Sequence, residues 1–90
     1  MELKEIAYKA AELKASDIFL KTGAPPTLRL NGKITSMEGY ADLTPEDTET
    51  LAYSVMSHEQ IGRFERRHEL DLAFTIEGLA RFRANIYQQR

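Results

Sequence analysis

Apolar residues open the chain in a helical rhythm: Leu3, Ile6, Ala7, Ala10 and Leu13 recur at spacings of three and four. Such a stripe is what one buried helix face leaves in a sequence, and it predicts a helix over about residues 2–14. Glu5 and Lys9 stand four apart in the order that favours pairing on the polar side. Asp17-Ile18-Phe19-Leu20-Lys21 then reads as a short strand, closed by Thr22-Gly23-Ala24-Pro25-Pro26. The two prolines cannot donate to a sheet and send the chain onward in an extended form.

Thr27 to Leu30 and Lys33 to Met37 flank Asn31-Gly32, the dipeptide most indicative of a tight hairpin. A strict two-residue turn would pair Leu30 with Lys33 and set Ile34 opposite Arg29. That places Leu30 and Ile34 on opposite faces, so a bulge or a longer loop is expected here. Further on, Thr44-Pro45-Glu46-Asp47 starts a helix: a capping hydroxyl, a proline suited to the first turn, and two acids at the positive end of the dipole. Leu51, Ala52, Val55 and Met56 form its apolar side. Ser57 with Gln60 resembles a capping box, so another helix is expected from there to about His68, with Ile61 and Phe64 as its core contacts.

The end of the chain changes to a period of two. Leu70, Leu72 and Phe74 alternate with Asp71, Ala73 and Thr75; after Glu77-Gly78, Ala80, Phe82, Ala84 and Ile86 alternate with Arg81, Arg83, Asn85 and Tyr87. One apolar face must run across both strands of this hairpin. A loop of Ile76-Glu77-Gly78, with Gly78 left-handed, meets that demand by pairing Leu72 with Phe82, Phe74 with Ala80, and Asp71 with Arg83. The order of helix, three strands, two helices and two strands is that of an α+β domain, an antiparallel sheet with helices packed on it.

Composition narrows the picture. Ninety residues make one domain with a modest core, and 42% hydrophobic with 29% charged residues is ordinary for a folded protein. No apolar run approaches the roughly 18 residues of a membrane span. The absence of cysteine excludes disulfides and thiolate metal sites and fits a cytosolic chain. A net charge of −2 argues against a general nucleic-acid binder.

Enzymatic motifs are missing. The five glycines are scattered, none leading into Lys-Ser or Lys-Thr as a phosphate-binding loop requires, and there is no nucleophile elbow. His58 and His68 stand alone, without the paired ligands of a metal site. No residue is therefore assigned as catalytic or metal-binding, and no cofactor is expected for this segment. Asp17 reads as a side chain that holds a helix-to-strand turn, and Arg29 as an exposed hairpin residue. Arg81 and Arg83 are the candidate site. Two arginines on one face of a strand make a forked donor surface suited to phosphate or carboxylate; the plainer alternative is a solvated face with Arg83 paired to Asp71.

Two stretches carry a resemblance. Ala15-Ser16-Asp17-Ile18-Phe19-Leu20, Gly23-Ala24-Pro25-Pro26 and Leu28-Arg29-Leu30-Asn31-Gly32 together resemble the N-terminal signature of the PilT family. These are the type IV pilus retraction (twitching motility) ATPases, relatives of the type II secretion ATPases. Ala80-Arg81-Phe82-Arg83-Ala84-Asn85 and Tyr87-Gln88-Gln89-Arg90 look like the strand just before that family's ATPase core. Phe19 departs from the histidine common in the PilT pattern and looks more like the PilU branch, so retraction motor and accessory paralogue both stay open.

The resemblance implies that residues 1–90 are an N-terminal, PAS-like domain and that a RecA-like ATPase domain with Walker motifs follows elsewhere in the protein. It implies ATP and Mg in the full-length protein and a homohexamer in which this domain packs on the RecA-like domain of a neighbouring subunit. A cytoplasmic location at the inner-membrane face of the pilus machine is implied as well, with the pilus base as partner. By motif position, Arg81 and Arg83 would approach the nucleotide phosphates in trans. An independent PAS-like sensor, or an adaptor docking through Arg63, Arg66 and Arg67, is the alternative.

Overall fold

The computed structural model describes residues 2–76, 78 and 80–88. Eight elements follow one another: α1 (Leu3–Glu12), β1 (Asp17–Lys21), β2 (Thr27–Leu30), β3 (Lys33–Ser36), α2 (Pro45–Tyr53), α3 (His58–Arg67), β4 (Glu69–Ile76) and β5 (Ala80–Tyr87). The strands form one sheet in the order β3-β2-β1-β5-β4. The class is α+β as expected. The sheet, however, is mixed, because β1 and β5 run parallel while the other neighbours are antiparallel. Burial explains that central pair. Ile18, Leu20 and Ile86 are wholly buried and Phe82 nearly so, and strands that bury most apolar surface gain most from the middle of a sheet.

One face of the sheet carries Leu28, Ile18, Leu20, Phe82, Ile86 and Leu70 into a core completed by Leu3, Ile6, Ala7 and Ala10 of α1, Leu51 and Ala52 of α2, and Phe64 of α3. Leu13 is not part of it: α1 has ended, and Leu13 lies at its C-cap with 56% of its surface exposed. The other two helices begin as their sequences predict. Thr44 accepts from the Asp47 amide while the Asp47 carboxylate accepts from the Thr44 amide; Ser57 and Gln60 repeat the arrangement. Replacing Thr44 with alanine should therefore cost about 1 kcal/mol, seen as a lower urea midpoint at unchanged m-value.

Both hairpin registers differ from expectation. The first has no bulge: Leu30 pairs with Lys33 and Arg29 with Ile34, around Asn31 and Gly32 at φ 51° and 80°. Those angles are what a type I′ turn demands. β3 is an edge strand exposed along its whole length, so no core face opposes the turn's preference, and Ile34 is left 58% exposed.

In the second hairpin Leu72 pairs with Ala84, Phe74 with Phe82, and Ala73 rather than Asp71 with Arg83. Ile76 belongs to the strand, opposite Ala80, so it is not a loop residue; Glu77 lies outside the described residues. The expected and observed registers differ by two, which keeps every residue on its face, so periodicity alone does not choose between them. The observed register pairs all eight residues of each strand. Gly78 has the expected positive φ, 74°.

The chain leaves β5 under restraint. Gln88 is 4% exposed. Its amide donates to the His68 carbonyl at 2.8 Å, and its side-chain Nε2 donates to the Pro45 carbonyl at 2.9 Å.

Candidate functional site

Three strands converge on the sheet face turned away from the core. Asp17 opens β1 and stands directly opposite Arg29 on β2 and Arg83 on β5. Period-two alternation sends all three side chains to the same face, where they meet. Arg83 Nε lies 2.9 Å from Asp17 Oδ1, and Arg29 Nε lies 3.3 Å from Oδ2. Ser16 donates its hydroxyl to Oδ2 at 2.6 Å. The Ser16 backbone closes the arrangement below, its amide donating to the Arg29 carbonyl and its carbonyl accepting from the Arg83 amide. Arg29 also lies over the Phe19 ring, 5.5 Å from its centre, within the range of a cation–π contact.

Asp17 is 5% exposed, and a buried carboxylate is costly unless paired and hydrogen-bonded. The Ser16 hydrogen bond, joined by Arg83 and Arg29, holds its carboxyl below the usual value against the opposing effect of burial. A depressed carboxyl stabilises the fold above the unfolded-chain pKa of about 3.9, and the contribution is lost as pH falls through the folded value. Asp17, Phe19, Arg29, Asp71, Arg83 and Asn85 line a depression of about 520 Å³ on this face.

The expected pairing of Arg83 with Asp71 is thus replaced by one with Asp17, and Asp71 instead accepts from Asn85 Nδ2 at 2.7 Å. Arg81 is exposed on the same face of β5, two residues along from Arg83 and opposite Thr75. The two arginines do share a face, as predicted. Asp17 is more than a turn-former and Arg29 more than a surface residue. The available signal was an acid directly before the apolar run Ile18-Phe19-Leu20, on a strand otherwise destined for the core.

His58 and His68 occupy opposite ends of α3, and His68 is its left-handed C-cap at φ 59°. Arg66 and Arg67 end the same helix, where cations complement its dipole, and Arg63 lies 3.9 Å from Glu59. Among the described residues no helix is long and apolar enough to cross a membrane.

No family model matches the chain. Individual proteins do. The type IV pilus ATPase PilU of Pseudomonas aeruginosa is 31% identical over 90 residues, covering all of this chain and 23% of PilU. The type IV pilus retraction ATPase PilT of the same organism is 33% identical over 89 residues, covering 99% of this chain and 26% of PilT. A crystal structure of the pilus retraction motor PilT with bound ADP superposes with a TM-score of 0.78 at 46% identity, across the whole chain and 26% of that protein. The chain therefore spans about a quarter of the length of the relatives it matches. Identity to the PilU and PilT of one organism, 31% and 33%, does not separate the two branches.

Proposed function

The chain matches the N-terminal region of the pilus ATPases PilU and PilT along its full length, and from that premise we propose that it serves as the N-terminal domain of a type IV pilus retraction ATPase. In this reading residues 1–90 form one non-catalytic domain. It packs on the RecA-like ATPase domain of a neighbouring subunit in a homohexamer, in the cytoplasm at the inner-membrane face of the pilus machine. The full-length protein uses ATP and Mg. Arg81 and Arg83 are lent to the neighbour's nucleotide, where a guanidinium neutralises charge on the transferred phosphoryl group.

One observation carries the arginine assignment. Arg83 is anchored through Nε to a buried carboxylate while 77% of its side chain stays exposed, so the rest of its planar fork is free to meet an oxyanion. The test is steady-state ATP hydrolysis by the full-length protein carrying Arg81→Ala or Arg83→Ala, with assembly followed by sedimentation. Intact hexamers of both variants turning over at the wild-type rate would remove the assignment.

Residues 1–90 alone are expected to bind ATP weakly or not at all and not to hydrolyse it. Their sequence has no phosphate-binding loop, and two exposed arginines without that cradle and its Mg²⁺ hold phosphates poorly. Calorimetric titration checks this, and stoichiometric micromolar binding is the contrary result.

A further inference from the structure

Beyond the two arginines themselves, we infer that Asp17 is the positioning residue of this surface, aiming the guanidinium of Arg83 outward from the sheet. The inference rests on the reading that Arg83 serves a neighbouring nucleotide site. A long arginine on an exposed strand normally samples many rotamers, and fixing one costs up to about 2 kcal/mol of side-chain entropy. A group that must meet a phosphoryl oxygen in the transition state works best if that cost is met in advance.

Asp17 supplies such a restraint. It comes from a central strand, is buried, and is itself held by the Ser16 hydroxyl. Oδ1 takes the Nε of Arg83 at 2.9 Å, while the Nε of Arg29 stands 3.3 Å from Oδ2 as an ion pair without a hydrogen bond. Because the guanidinium is planar, fixing Nε and its aliphatic stem fixes the direction of the two terminal nitrogens. Contact through Nε leaves those nitrogens available, whereas an end-on pair would consume them. The sheet brings this about directly, since Asp17 is the register partner of both arginines.

If Asp17 acts through Arg83, removing it matters only while Arg83 is present. The experiment is a double-mutant cycle on kcat and KM for ATP in the full-length assembled protein: wild type, Asp17→Asn, Arg83→Ala and the double variant. We expect Asp17→Asn to lower kcat about fivefold with KM for ATP within about twofold. The double variant should fall within about twofold of Arg83→Ala alone. Asp17→Glu keeps the charge but moves the carboxylate outward by one methylene. It should lower kcat about threefold, again only in the presence of Arg83.

Should Asp17→Asn fail to assemble, the Asp17→Glu cycle decides alone. Losses that multiply in the double variants, or full rescue by glutamate, overturn the positioning role. Wild-type turnover in the Asp17 variants alongside an impaired Arg83→Ala overturns it too while leaving the arginine assignment standing. Wild-type turnover in Arg83→Ala removes the arginine assignment, and the positioning role falls with it.

Discussion

Replacing Phe82 with alanine should destabilise the domain by about 3–5 kcal/mol, the cost of emptying a buried aromatic site. Phe82, the third residue of β5, is 1% exposed and faces a core to which all three helices contribute. Truncation would leave a space between the sheet and the helices packed on it, at a position held by pairing with β4. Domains of this size have total stabilities of about 5–15 kcal/mol, so this one change removes much of what holds the fold. Denaturant unfolding measures it, with Ile34→Ala as the control. Ile34 is an aliphatic residue 58% exposed on the edge strand, where truncation should cost no more than about 0.5 kcal/mol. A loss below about 1 kcal/mol at Phe82 would show the core to be far more plastic than its burial indicates.

The second large effect is expected in turnover. Arg83→Ala should lower ATP hydrolysis by the full-length assembly at least about tenfold, an added barrier of about 1.4 kcal/mol. Arginines supplied in trans contribute about 10³ to 10⁵ in well-studied phosphoryl-transfer systems. A smaller effect is expected here because the ATPase domain that the reading implies brings positive charge of its own. Arg81→Ala should act in the same direction. Both side chains are exposed on the face opposite Phe82 and Ile86, so the variants should fold and assemble. Lysine should rescue poorly at Arg83, since an ammonium that donates to the Asp17 carboxylate has no planar fork left to present.

Much of this was written locally. The helix starts at Thr44 and Ser57, the Asn31-Gly32 turn, the left-handed Gly78 and the two faces of β5 each depend on residues within a few positions of one another. What sequence left out is non-local. Local pattern points to β4, the neighbour across the hairpin, for the partner of Arg83, whereas the acid that holds it comes from β1, sixty-six positions earlier, through a parallel pairing no local pattern announces. Arg29 was missed for the same reason, since its role depends on which strand lies beside β2. The hairpin register was missed for a different one: a slip of two preserves every facing, so only the count of paired residues distinguishes the alternatives. Ile34 shows the opposite error, an apolar residue assumed to need a core where turn geometry alone decided its position.

The placement of β5 also has a mechanical meaning. β5 is not at the sheet's edge but lies between β1 and β4, paired with β4 over its whole length and with β1 from Arg83 to Tyr87. Tension applied beyond Gln88 along the strand would load both ladders at once, in shear, whereas an edge strand pulled sideways opens one pair at a time like a zip. The two hydrogen bonds of Gln88 to Pro45 and His68 would meet that load first and spread it to the start of α2 and the end of α3. Rupture under force is governed by the unfolding barrier rather than by equilibrium stability. The domain's resistance to pulling along β5 is therefore set by that barrier and not by the size of its core.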